Sequence, residues 1–138
     1  MEDAGPTATR PRTRPVTSLI ATEGLTHIQL TVLDLERSLA FYQTVFGMRE
    51  MFREGPHMVF LRTPGARDTI TLNADPALPA PVQSGVAHFG FRLKDATQLD
   101  AAIATVQAAG GTLLGRGEHG PGSRYAYVTD PDGYIIEL

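Results

Sequence analysis

The sequence predicts an α+β domain built from two tandem βαβββ repeats, and three observations carry that prediction. Short apolar and β-branched runs, bounded by Gly and Pro, recur in both halves and mark strands. One amphipathic stretch with helical period follows the first strand of each half. The element order on one side of a proline-rich segment then repeats on the other, as an internal duplication leaves it.

Residues 1–22, MEDAGPTATRPRTRPVTSLIAT, are rich in Pro, Thr and Arg and show no hydrophobic periodicity. They also lack the apolar central segment of a secretory signal, so a disordered N-terminal arm is expected. The folded domain is expected over 24–138, with module one at 24–75, a linker at 76–85 and module two at 86–138. In module one, LTHIQLTV reads as a strand. Asp34 reads as the N-cap of DLERSLAFYQTVFG, whose Leu35, Leu39, Tyr42 and Phe46 share one helical stripe and which Gly47 stops. MREMFRE, HMVFLRT and DTITLNA follow as strands. The stretch ADPALPAPVQSG holds too much proline for a helix or a central strand. In module two, VAHFGFRL reads as a strand and DATQLDAAIATVQAAGG as a helix ending at Gly110 and Gly111. GTLLGRGEH, SRYAYVT and GYIIEL complete the repeat.

Composition narrows the functional classes. With 138 residues and 42% hydrophobic side chains, one domain can bury roughly two-thirds of its unfolded surface. Net charge is −3 with the signs mixed, so no basic stripe for nucleic acid is present, and no apolar run could span a membrane. There is no cysteine, which excludes disulfides, a thiolate nucleophile and thiolate ligands; a metal must rest on His, Asp or Glu. A cytoplasmic protein is the expectation.

Superposing the halves aligns His27 with His88, each third in its strand-opening segment, and Thr71 of ITL with Glu137 of IEL. Strand alternation places His27 on a face with Leu25, Gln29 and Thr31, leaving Ile28, Leu30 and Val32 to the core. His88 likewise shares a face with Gly90 and Arg92. Glu137 lies opposite the apolar pair Ile136 and Leu138. Buried carboxylates are paired or bound to metal, so three such groups at repeat-equivalent points make a candidate metal site. Gln29, Thr71, Arg92 and Tyr125 are candidates for lining a substrate pocket.

On these residues the chain resembles the vicinal oxygen chelate superfamily of glyoxalases, bleomycin-resistance proteins and extradiol dioxygenases, over about residues 24–138. The resemblance implies a glyoxalase-like fold, with paired βαβββ modules forming a cup-shaped mixed sheet around one divalent metal. It implies His27, His88 and Glu137 as ligands, with Thr71 standing where many relatives carry a fourth. The segment GEHGPGSRYAYVTDPDGYIIE also resembles the extradiol dioxygenase signature, through Gly117, His119, Tyr127, Asp130, Pro131, Gly133 and Glu137. Ala126 departs from it, standing where a larger apolar residue is usual. By that resemblance His119 and Tyr127 are the catalytic residues.

The function implied is a metal-dependent enzyme acting on vicinal oxygens, first an Fe(II) extradiol (catechol) dioxygenase. Two histidines and one carboxylate suit Fe(II), with Mn, Zn, Ni and Co as the other metals. The alternatives are a glyoxalase-like lyase, isomerase or epimerase using Zn, Ni, Co or Mn, and a metal-free protein that sequesters an antibiotic. The expected partners are a small molecule with adjacent oxygens and a second copy in a homodimer, its sites shared between chains. No nucleic acid or membrane partner is expected.

Overall fold

In the computed structural model, which describes residues 19, 21, 23, 25–78 and 86–138, the duplication is visible in the order of elements. Module one runs β1 (Ile28–Thr31), α1 (Leu35–Phe46), β2 (Arg49–Glu54), β3 (Met58–Arg62) and β4 (Ile70–Asn73). Module two runs β5 (Phe89–Gly90), a 3₁₀ turn (Ala96–Gln98), α2 (Leu99–Ala108), β6 (Thr112–Glu118), β7 (Arg124–Thr129) and β8 (Ile135–Glu137). Most of the expected arm over 1–22 and most of the linker over 76–85 fall outside the described residues.

Each module makes its own four-stranded mixed sheet, ordered β1-β4-β3-β2 and β5-β8-β7-β6. The first and last strands of each module pair in parallel, and the rest pair antiparallel. The helix carries the chain to the far edge, and the following strands bring it back beside the first. The cup-shaped mixed sheet expected from the sequence is thus realised as two sheets, with no ladder joining them among the described residues.

The helices form where the sequence marks them. Asp34 caps α1 by accepting the Arg37 N–H at 3.0 Å, and Gly47 ends it in the left-handed region at φ 65°. Leu35, Leu39, Phe41 and Tyr42 of α1 are buried with Val59, Leu61 and Leu72 of the first sheet. In module two Leu99, Ile103 and Val106 of α2 are buried with Ala126, Val128 and Ile136. Each such large apolar side chain contributes about 1.5–3 kcal/mol when fully buried. Burial of this kind fixes which face of β3, β7 and β8 remains for chemistry.

Two expected elements differ. VAHFGFRL contributes only Phe89 and Gly90 as strand, because β5 is an edge strand whose one neighbour, β8, is three residues long. The second helix opens as a 3₁₀ turn, with Asp95 accepting the Thr97 N–H at 2.9 Å before α2 begins.

The DPDG turn before β8 joins the modules. Asp130 is buried, accepts the Tyr42 hydroxyl of α1 at 2.8 Å, and takes the N–H groups of Asp132 and Tyr134 at 2.9 Å. The Asp132 carboxylate, fully covered, accepts the Leu33 N–H at 3.1 Å, the Arg37 guanidinium at 2.9 Å and the Ser38 hydroxyl at 2.9 Å. Tyr134 donates its hydroxyl to the Thr31 carbonyl at 2.7 Å. Phe46 and Phe91 stack across the same junction with centroids 3.9 Å apart. Among the described residues, no helix is long and apolar enough to cross a membrane.

Candidate metal and substrate site

Glu137 occupies the middle of a short rung across the second sheet. It pairs with Gly90 on one side and Tyr127 on the other. Ile136 beside it is fully buried, so alternation sends the Glu137 side chain to the face opposite α2. Gly90 makes room for it: a Cβ there would lie 3.0 Å from the Glu137 carbonyl oxygen and 3.5 Å from its Cβ. A carboxylate is thereby held, partly covered, on a face that otherwise carries rings.

Two imidazoles take its two oxygens. His88 Nε2 lies 3.1 Å from Oε2, and His119 Nε2 lies 2.9 Å from Oε1. The His119 hydrogen bond, helped by the charges of His119 and His88, holds the Glu137 carboxyl below the usual carboxylate range, against burial, which opposes it as the second-largest influence. Tyr127 meets the His88 ring edge-on at 5.1 Å, and Tyr125 stacks on His119 at 4.2 Å and 20°. Tyr125 lies so close over Gly117 that a Cβ there would come within 2.9 Å of its hydroxyl. Burial first, then the neighbouring Glu137 carboxylate, push the Tyr127 phenol up, so it stays protonated and can donate at neutral pH.

The structure therefore brings together His88, His119, Tyr125, Tyr127 and Glu137. Arg92 joins them, lining with His119, Tyr125 and Glu137 an open concavity of about 520 Å³. Three expected residues lie elsewhere. His27 is exposed, with Nδ1 3.2 Å from the Thr26 hydroxyl and its ring 6.3 Å from Phe60. Gln29 lines a recess of about 170 Å³ that also takes in His88, Ile28 and Tyr134. Thr71 is fully buried, and among the described residues its hydroxyl has no hydrogen-bond partner.

The donor set fits a divalent cation in kind. Its atoms are imidazole nitrogen and carboxylate oxygen, the ligands that Zn, Fe, Ni and Co take, and no thiolate is present. Within one chain these atoms are arranged as an acid hydrogen-bonded between two rings. Among the described residues no three His, Asp or Glu side chains surround a common point.

Two features of the surroundings carry no mark in the local sequence. Asp130 and Asp132 read as turn chemistry, yet their carboxylates fasten the strand bearing Glu137 to α1. Phe52 and Phe60 stack at 4.3 Å and 17° on module one, beside His27. Their facing depends on a register shift between Glu50 and Phe52 that alternation alone does not reveal.

Residues 24–138 match the model of the Glyoxalase/Bleomycin resistance protein/Dioxygenase superfamily, and the chain belongs to that family. It is 34% identical over 119 residues to a catechol-2,3-dioxygenase of Bacillus subtilis, a match covering 82% of this chain and 41% of that protein. It is 33% identical over 125 residues to the lactoylglutathione lyase GLX1 of Arabidopsis thaliana, covering 81% of this chain and 42% of that one. The chain thus spans less than half the length of either relative. A glyoxalase-related enzyme from Fulvimarina pelagi superposes with a TM-score of 0.69 at 26% identity, over 84% of this chain and 86% of that one.

Proposed function

Taking membership of this superfamily as the premise, we propose that the chain is a divalent-metal-dependent enzyme acting on vicinal oxygens, most concretely an Fe(II) extradiol-type dioxygenase of catechols. The observation that supports this most is Glu137, held between the Nε2 atoms of His88 and His119 and paired across the sheet with Tyr127. His88 and Glu137, with His27 from module one, would hold the ion. Fe(II) is favoured, and Mn, Zn, Ni or Co fit the same donors. When bound, a divalent ion there supplies Lewis-acid activation of coordinated substrate oxygens.

The chain's own residues supply the rest. Tyr127, kept protonated, donates a hydrogen bond to a substrate oxygen as negative charge develops on it. His119, whose ring plane is set by Tyr125, offers an Nε2 that can accept a proton from a substrate hydroxyl once Glu137 is engaged elsewhere. Arg92 and Arg124 are cations of the same concavity, and Arg92 orients an anionic substrate.

A second reading is supported by the likeness to the lactoylglutathione lyase: proton transfer beside a carbonyl, as in a lyase, isomerase or epimerase. Thr71 disfavours it. At the point equivalent to Glu137 it offers a hydroxyl, a poor base, where such chemistry is helped by a second acid.

We also read the protein as a homodimer in which His27 faces His88 and Glu137 of the partner subunit. In support, His27 is exposed and, among the described residues, meets Thr26 and Phe60. Large apolar side chains lie exposed on the modules, among them Leu25, Leu33, Val86 and Leu114.

The test is oxygen uptake by Fe(II)-loaded protein against a panel of catechols. Uptake lost in His88→Ala and Glu137→Ala is expected. Tightly bound metal without uptake would move the assignment to the lyase reading.

A further inference from the structure

The rung of module one equivalent to that of Glu137 carries no ionisable side chain. Gln29, Thr71, Phe60 and Phe52 stand side by side across β1, β4, β3 and β2. In module two the same line reads Gly90, Glu137, Tyr127 and Gly115. One copy of the repeat has become acid and phenol, and the other an amide, a hydroxyl and two phenyl rings.

Those rings are placed for contact. Phe52 stacks on Phe60 at 4.3 Å and 17°, and the Phe60 ring lies 6.3 Å from His27. Val59 and Leu61 of β3 are buried toward α1, so Phe60 takes the opposite face, with His27 and Thr71. Phe52 is 51% exposed although its partner ring is half-buried. Solvent therefore meets a flat double layer of phenyl carbon beside a candidate ligand. Among the described residues the neighbouring Thr71 hydroxyl, fully buried, has no partner, so their polar groups do not complete this face. Ligand sites are built from apolar and aromatic walls with a few convergent polar groups, and aromatic rings prefer offset-stacked partners.

We infer that Phe52 and Phe60 are specificity residues, a wall that selects substrates whose adjacent oxygens sit on a planar aromatic ring. The inference rests on the proposed function in one respect: the face of module one is taken to close over a Glu137 site. It adds which residues grip the ring, against small aliphatic chelators that offer no ring to stack.

Binding of two probes to full-length protein tests it: 4-nitrocatechol, an aromatic diol, and acetohydroxamate, an aliphatic chelator of similar bite. Both are titrated calorimetrically into metal-loaded protein, and 4-nitrocatechol also into protein stripped with EDTA. In Phe52→Ala and in the gentler Phe60→Leu, the Kd for 4-nitrocatechol is expected to rise between about threefold and thirtyfold, with acetohydroxamate binding and metal content unchanged. Met51→Ala, which removes apolar surface from the adjacent bulge position, is expected to leave both Kd values as they are. Equal losses for both probes, no loss in either Phe variant, or wild-type protein that binds 4-nitrocatechol in neither form would overturn the inference. Phe52-dependent binding of 4-nitrocatechol by protein that takes up no metal would uphold the wall while removing the metal reading. Unchanged binding in the Phe variants of a protein that does hold metal would do the reverse.

Discussion

Thr71 and Glu137 occupy the same position in two copies of one sheet: Thr71 pairs with Gln29, two residues after His27, and Glu137 pairs with Gly90, two residues after His88. The repeat therefore makes two equivalent places for a polar group and charges only one of them. On the proposed function, that asymmetry would put the reactive chemistry in module two and leave module one to bind.

Thr71 gives the first prediction. Its buried hydroxyl is desolvated without a compensating hydrogen bond. Thr71→Val keeps the shape and removes that cost, and is expected to stabilise the ligand-free protein by about 1 kcal/mol. Urea unfolding measures it. A loss of stability would mean that the hydroxyl is satisfied in solution.

Tyr127 gives the second. On the proposed function it donates to developing negative charge without holding the ion, so Tyr127→Phe is expected to lower kcat by about ten- to a thousandfold at unchanged metal content. Steady-state kinetics with parallel metal analysis checks this. Loss of metal in the variant would assign Tyr127 a structural role.

The junction between modules gives the third. Tyr42→Phe strips the Asp130 carboxylate of its hydroxyl partner in a buried place, and is expected to cost about 1–3 kcal/mol. Asp132→Ala removes the acceptor of three donors and is expected to cost a similar amount or more, with faster amide exchange at Leu33. A variant with wild-type unfolding would show that the turn does not fasten the modules.

Asp130 also sets a pH dependence. Burial, partly offset by its hydrogen bond from Tyr42, pushes its carboxyl above the ordinary carboxylate range. Its folded pKa exceeds its unfolded one, so the folded state binds the proton more tightly. Its contribution is fully present below the unfolded pKa, about 3.9, and is lost as pH rises through the raised folded value. The stability of Asp130→Asn relative to wild type is therefore expected to improve as pH rises from about 3 to about 7. Unfolding curves at several pH values test the sign. A relative stability that worsens over that range would contradict it.

The sequence showed the repeat because burial leaves a period: Leu30 and Val32, Val59 and Leu61, Ile70 and Leu72 alternate with the residues of the open face. That alternation also placed Glu137, His88 and Thr71, and the structure pairs the strands as the superposition of halves requires. Pairing between distant segments leaves no local trace. Asp132 meets Ser38 and Arg37 from 94 and 95 residues away, and nothing in DPDG foretells it. Phe52 escaped for another reason. A one-residue shift in β2 exchanges faces, so MREMFRE cannot declare whether Met51 or Phe52 lies with Phe60. The two sheets were likewise illegible as separate bodies, since β1 and β5 are both edge strands whose free sides carry no signature of a partner.

Oligomeric state bears on His27. Sedimentation at micromolar concentration is expected to give a dimer, and a monomer that still binds one metal per chain would remove the shared site.

Metal stoichiometry after anaerobic purification decides whether Glu137 holds an ion. One divalent ion per chain is expected, Fe(II) foremost, lost in both His88→Ala and Glu137→Ala and retained in Tyr127→Phe. Wild-type protein that takes up no divalent ion, or an ion whose binding is indifferent to Glu137, would contradict it.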